Sequence, residues 1–181
     1  MCMPKTVLYV ASSLDGYIAR PDGGIDWLSA FDFDSEGTDY GYAQFYAGID
    51  AIAMGSRTYE QVLGFEEWPY AGRQVFVFTR RPLERITSDV SLISQDPDEF
   101  MQGLDPAGIR TLWLAGGADL VASFMQHGLI DEYIVSIIPI VLGDGIPLFK
   151  KPLPQRRLQL LESTDYASGL VQLHYRNAPD R

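Results

Sequence analysis

Short apolar runs alternate with segments of helical spacing along most of the chain. The apolar runs are typical of buried strands and cover residues 5–11, 50–55, 73–79, 90–94 and 110–115. The helical patterns cover residues 40–48, 56–64, 96–104 and 118–128. Strands that alternate with helices in this way favour a mostly parallel sheet between two helical layers.

Three segments depart from this alternation. Residues 12–27 are rich in glycine and predict a long loop. Residues 131–143 form a long hydrophobic strand region that is interrupted at Pro139, and residues 156–176 alternate as a hairpin of two strands does. The predicted fold class is therefore α/β: a three-layer αβα sandwich with a mostly parallel central sheet and an antiparallel C-terminal hairpin. The length of 181 residues fits a single domain over residues 1–181.

Composition narrows the class of partner. Hydrophobic residues make up 46% of the chain and charged residues 21%, which is typical of a soluble globular protein. The net charge of −10 argues against nucleic acid and against an anionic membrane surface, since both attract basic proteins. The first apolar run is too short for a secretory signal, so we expect a cytoplasmic location. One cysteine and two distant histidines predict no disulfide and no metal site.

Three strand ends carry residues suited to an anion. Gly116 and Gly117 stand between a strand and a helix, where bare backbone N–H groups and the helix dipole attract negative charge. Gly55 ends another strand in the same way, and Arg80 and Arg81 follow a third. Each feature has a plainer interpretation, because double glycines are common in turns and surface arginines are usually solvated. Their recurrence at the carboxyl edge of one sheet favours a ligand site.

Five ordered motifs in the sequence resemble a known family. They are VLYVASSLDGYIARPDGGIDWL, AIAMGSRTYE, FVFTRRPL, LWLAGGADLV and IPIVLGDGIPLF, and they span residues 7–149. Together they resemble the dihydrofolate reductase-like superfamily. The resemblance is greatest to the branch related to the C-terminal reductase domain of the riboflavin-biosynthesis deaminase/reductase.

This resemblance implies an NADPH-dependent reductase and a set of cofactor-binding residues. The turn with Gly55, Arg57 and Thr58 resembles one that holds cofactor phosphates. Thr79, Arg80 and Arg81 resemble the site of the adenosine 2′-phosphate, which favours NADPH over NADH. Gly116, Gly117, Ala118, Asp119 and Leu120 resemble the pyrophosphate loop, and Ala11 and Ile18 fall where the family flanks the nicotinamide.

The substrate side of the resemblance is less regular. Asp39 stands where dihydrofolate reductases carry a carboxylate that holds the pterin, and Trp27 resembles their pocket tryptophan. An acidic insert precedes Asp39, so Asp32 or Asp34 could serve instead, or the segment could be a solvated loop. Tyr9 and Tyr46 replace a lysine and an arginine of the riboflavin-pathway reductases. Two tyrosines favour a flat uncharged ring stacked against aromatic faces; the alternative is ordinary core packing, which explains Tyr9 at least as well.

The predicted function is hydride transfer from NADPH to a small pterin-like or pyrimidine-type heterocycle. One alternative is a nucleotide-binding protein that retained the fold and lost turnover. Another is a dihydrofolate reductase proper, which the acidic insert argues against. The apolar residues 134–149 resemble segments that relatives pair across a dimer, so we also expect a homodimer.

Overall fold

The computed structural model describes residues 3–29, 37–104 and 108–179. The strands are β1 (Lys5–Ser13), β2 (Tyr17–Ala19), β3 (Ala51–Gly55), β4 (Gln74–Phe78), β5 (Val90–Ile93), β6 (Thr111–Gly116), β7 (Glu132–Ile138), β8 (Ile146–Pro147), β9 (Leu158–Asp165) and β10 (Val171–Asn177). The helices are α1 (Asp26–Ser29), α2 (Tyr42–Ala47), α3 (Ser56–Leu63), α4 (Pro97–Gly103) and α5 (Ala118–Gln126). Within these ranges no helix has the length and apolar character needed to cross a bilayer.

Eight strands form one sheet in the order β5-β4-β3-β6-β1-β7-β10-β9. The six strands from β5 to β7 pair in parallel. Strand β10 runs antiparallel to both β7 and β9, so the last two strands form the C-terminal hairpin. These pairings confirm the predicted fold class.

The two faces of the sheet carry separate hydrophobic cores. Leu112 and Leu114 of β6 pack on one face with Phe100 of α4 and Phe124 of α5. Trp113, between them in sequence, packs on the other face with residues of α2 and α3. Successive side chains of a strand point to opposite faces, so one short apolar run supplies both cores. A strand with both faces buried has a continuously apolar sequence, which explains the pattern of residues 110–115.

The prediction of a plain loop over residues 12–27 is wrong. Strand β1 continues to Ser13, β2 pairs antiparallel with β8, and α1 begins at Asp26. Both strands of the small second sheet are very short and far apart in sequence, so local periodicity cannot reveal them. A Cβ at Gly145, just before β8, would lie 2.3 Å from the carbonyl oxygen of Ala19. Only glycine therefore allows this approach.

Asp50 joins the starts of β3 and β6. Its Oδ2 accepts hydrogen bonds from the backbone N–H groups of Arg110 and Thr111, each at 2.9 Å. The bond from Thr111 is the largest cause of the lowered pKa of Asp50. A carboxylate whose folded-state pKa is lowered stabilises the fold above its unfolded pKa, and this contribution is lost as pH falls through the folded-state pKa.

Replacing Asp50 with asparagine is expected to lower the free energy of unfolding by about 1 kcal/mol at neutral pH, a small value because the side chain is only half-buried. The difference from the wild type should shrink as pH falls below the ordinary Asp pKa of 3.8, since the wild-type carboxylate then becomes protonated. Urea unfolding of both proteins at a series of pH values measures this difference in the free energy of unfolding. A deficit that stays constant across the series would contradict this role of Asp50.

Candidate functional site

A cavity of about 1100 Å³ lies at the carboxyl ends of β3, β4, β5 and β6. Helices α3, α4 and α5 begin beside it, so their N-termini contribute to its wall. The lining also includes residues 18, 19 and 21–23 and the segment around β8. Ligands of open α/β sheets bind at this edge of the sheet, where strand ends lead into helices.

Eleven of the thirteen predicted cofactor residues line this cavity. They are Ile18, Gly55, Arg57, Thr58, Thr79, Arg80, Arg81, Gly117, Ala118, Asp119 and Leu120. The remaining two, Ala11 and Gly116, lie outside the lining. Ala11 packs against the buried cluster around Trp27, and Gly116 ends β6 directly before the lining begins. Three strand ends that are distant in sequence therefore meet at one cavity.

The double glycine brings the starts of α3 and α5 close together. Gly116 has a φ of 108°, which side-chain-bearing residues rarely adopt, and its peptide bond to Gly117 is cis. A Cβ at Gly117 would lie 3.4 Å from Oγ1 of Thr58. A Cβ at Gly55 would lie 3.6 Å from the backbone nitrogen of Gly117. Because Gly55 and Gly117 have no side chains, space remains next to the N-termini of α3 and α5, and helix N-termini attract anions.

The four cationic side chains of the cavity differ in their partners. Arg81 Nη2 donates to Glu60 Oε2, and Lys150 Nζ donates to Asp119 Oδ1. Arg57 and Arg80 make no salt bridge within the described ranges. These two arginines are therefore available to an anionic ligand.

The short turn after β4 is fixed by its own hydrogen bonds. The backbone N–H of Arg81 donates to Thr79 Oγ1 at 3.1 Å, and the Thr79 hydroxyl donates to the carbonyl oxygen of Arg81 at 2.9 Å. The backbone N–H of Thr79 also donates to the carbonyl of Ile93 on the neighbouring strand. This turn places the backbone of Arg80 and Arg81 at the rim of the cavity.

Four charged residues of the cavity lining were not predicted from the sequence: Asp22, Glu60, Asp96 and Lys150. Two of these form ion pairs with predicted residues. Glu60 lies on α3 one turn after Arg57, and Lys150 follows β8. Their partners, Arg81 and Asp119, lie 21 and 31 residues away in sequence. Spacing along the chain carries no signal of such pairs. A cluster of His, Cys, Asp and Glu suited to a metal ion is absent from the described ranges.

The predicted substrate residues lie outside the cavity. Tyr9 stacks on Phe45 of α2, with ring centroids 4.2 Å apart, and Tyr46 packs edge-on against Trp113. Trp27 is 2% exposed and belongs to a buried cluster with Tyr40. Trp27 is therefore a core residue, whereas Tyr9 and Tyr46 are partly buried and pack against a buried hydrophobic cluster.

Asp39 is exposed and caps α2. Its carboxylate accepts hydrogen bonds from the backbone N–H groups of Gly41 and Ala43 at 3.0 and 2.7 Å. A carboxylate in this position satisfies amides at the helix start that have no partner within the helix. The alternatives, Asp32 and Asp34, lie outside the described residues.

A polar row lies on the α2 side of the sheet, next to Ala11. Ala11 pairs in register with Ser136 of β7, which pairs with Gln172 of β10. The Gln172 Nε2 group donates to Ser136 Oγ at 3.0 Å and, more weakly, to Tyr9 Oη at 3.4 Å. Burial is the largest cause of the raised pKa of Tyr9, so its hydroxyl stays neutral. Uncharged, largely buried polar groups therefore lie beside Ala11.

Residues 4–172 match the RibD C-terminal domain. The chain belongs to this family. It is 42% identical over 172 residues to the uncharacterised protein YwjB of Bacillus subtilis (strain 168), an alignment that covers 94% of this chain and 97% of that protein. It is 27% identical over 167 residues to the riboflavin biosynthesis protein RibD of Corynebacterium ammoniagenes, covering 83% of this chain but 47% of that protein.

A solved structure shares the fold over almost the whole chain. It is the crystal structure of a protein from Shewanella sp. PV-4 whose assignment to riboflavin biosynthesis is provisional. The TM-score is 0.87 at 28% identity, and the match covers 97% of this chain and 99% of that one. The chain thus has the reductase-like fold of the RibD C-terminal domain, as its motifs predicted.

Proposed function

We propose that this protein is an NADPH-dependent oxidoreductase that transfers a hydride to a small pterin-like or pyrimidine-type heterocycle. The observation that carries the proposal is the cavity where two helix N-termini meet Arg57 and Arg80, neither of which has a salt-bridge partner in the described ranges. This combination suits a ligand with several phosphates. Membership of the RibD C-terminal domain family supports a reductase.

The residues of the cavity fit NADPH in size and chemistry. A volume of about 1100 Å³ exceeds that of pockets for drug-sized ligands and can hold a dinucleotide. Gly117 and the first turn of α5 would bind the pyrophosphate through backbone N–H groups. Arg80 and Arg81 would bind the 2′-phosphate, and Ile18 would pack against the nicotinamide. Bound NADPH would supply the hydride, and the chain would orient it and exclude water.

Substrate-dependent oxidation of NADPH tests the proposal. The purified protein would be mixed with NADPH and a panel of pterins, folates and pyrimidines, and the loss of NADPH absorbance would be followed. At least one class of heterocycle should accelerate the loss over the rate without substrate. The alternative function, nucleotide binding without turnover, predicts that NADPH protects the protein against thermal unfolding and is never consumed. Methotrexate binding would instead favour a dihydrofolate reductase proper.

We also propose a homodimer and a cytoplasmic location. Strand β9 is an edge of the sheet, and four large apolar side chains in the described part of the C-terminal half are exposed: Val141 (65%), Phe149 (41%), Leu160 (49%) and Leu161 (41%). A second copy of the chain would cover such surface.

Light scattering after size exclusion is expected to give the mass of two chains. Replacing the exposed Val141 with aspartate should shift the protein toward the monomer, because a charge is costly to bury in an apolar interface. Its melting temperature, compared at a concentration where the wild type is also dissociated, should hardly change. A single-chain mass for the wild type at high concentration would contradict the dimer.

A further inference from the structure

The Glu60 carboxylate faces two arginines of the cavity. Its Oε2 accepts a hydrogen bond from Arg81 Nη2, and this bond is the largest cause of the lowered pKa of Glu60. The positive charge of Arg57, one helical turn earlier on α3, lowers it further. Glu60 is therefore ionised at neutral pH, and it lines the same cavity as Arg81.

The adjacent arginines after β4 are consequently not equivalent. Arg81 is already paired, whereas Arg80 makes no salt bridge in the described part of the chain. The hydrogen-bonded turn at Thr79 holds the backbone of both residues in place. A phosphate bound beside this turn finds Arg80 without a salt-bridge partner in the described residues, whereas the Nη2 group of Arg81 already donates to Glu60.

We propose that Glu60 is a specificity-determining residue for the cofactor, which competes with the 2′-phosphate of NADPH for Arg81. This inference rests on the proposed function, because it concerns the same cavity and the same cofactor. NADPH binding must open the Glu60–Arg81 pair, or it must accept repulsion between the phosphate and the carboxylate. NADH carries a neutral hydroxyl at this position and meets no such repulsion. Glu60 therefore weakens the binding of NADPH but not that of NADH. It thereby reduces the preference of the protein for NADPH over NADH.

Calorimetric titration of the Glu60→Gln variant with NADPH and NADH tests this role. Glutamine keeps the size of the side chain and removes its charge. We expect NADPH to bind about fivefold more tightly than to the wild type at low ionic strength, a modest gain because both partners of the pair are half-exposed. The Kd for NADH should change less than about twofold. The gain for NADPH should shrink at high ionic strength, since salt screens exposed charges.

The matched control is Glu67→Gln, which removes the same charge at an exposed position outside the cavity. It should leave both Kd values unchanged. Unchanged or weaker NADPH binding by Glu60→Gln would overturn the role of Glu60, and so would an equal gain with Glu67→Gln. If the wild type binds neither nucleotide, the proposed function itself is wrong. That outcome is distinct from binding that is insensitive to Glu60.

Discussion

Replacing Gly117 with valine is expected to abolish the binding of NADPH and NADH alike. The change places a branched side chain at the meeting point of α3 and α5, where a Cβ alone would already lie 3.4 Å from Thr58 Oγ1. The bulk would fill the space in which the pyrophosphate meets the backbone N–H groups of α5. We expect affinity to fall by at least about 1,000-fold, or roughly 4 kcal/mol. Calorimetric titration of the variant measures this loss.

The variant should still fold, because Gly117 has an ordinary extended backbone with a φ of −72°. The matched control is Gly103→Val at the end of α4, outside the cavity, where a Cβ would have no neighbour within 4 Å. That variant should bind both nucleotides as the wild type does. Full affinity in Gly117→Val would mean that the double glycine serves only the turn and that no pyrophosphate lies there.

Replacing Arg80 and Arg81 together with alanine is expected to weaken the binding of NADPH far more than the binding of NADH. Both side chains line the cavity at the end of β4, and the 2′-phosphate is the group that distinguishes the two nucleotides. Charge-assisted hydrogen bonds to a phosphate are strong, so the double alanine variant should lose about 100-fold in NADPH affinity, or roughly 2.7 kcal/mol. The Kd for NADH should rise less than about threefold. Parallel titrations with the two nucleotides give the comparison.

Net charge is controlled by a second double variant, Arg85→Ala with Arg157→Ala. Both of these arginines are exposed and lie outside the cavity, so the variant carries the same change in charge. It should bind NADPH nearly as the wild type does. If replacing Arg80 and Arg81 weakened the binding of NADPH and NADH equally, the assignment of the 2′-phosphate to these two arginines would be contradicted.

The sequence predicted the elements whose pattern is local. Residues 110–115 and 118–128 correspond to β6 and α5 because continuous apolar burial and helical spacing are properties of short windows. The pairing of β2 with β8 was missed because it depends on a contact between residues that are more than a hundred positions apart. The exclusion of a side chain at Gly145 arises from the same contact and has no local signal.

For the candidate site, too, the features with a local sequence signal could be predicted, and those that depend on distant contacts could not. The glycine turn and the Arg80–Arg81 pair could be placed together because parallel strands end at a common edge of the sheet. The partners of the cationic side chains could not be predicted, since Glu60 and Arg81 meet only when α3 packs beside β4. On the substrate side, Tyr9 and Tyr46 are partly buried and contact Phe45 and Trp113, and their role toward a substrate stays a prediction.

A thermal unfolding titration with NADPH, NADH and FMN in parallel tests the central claim, that this cavity binds NADPH. A ligand that binds only the folded state at about 100 times its Kd adds roughly 2.7 kcal/mol of stability. For a chain of this size that corresponds to a rise of about 5–10 °C in melting temperature. We expect the largest rise with NADPH, a smaller one with NADH and none with FMN at equal concentration. No rise with NADPH, or a rise with FMN alone, would contradict the account.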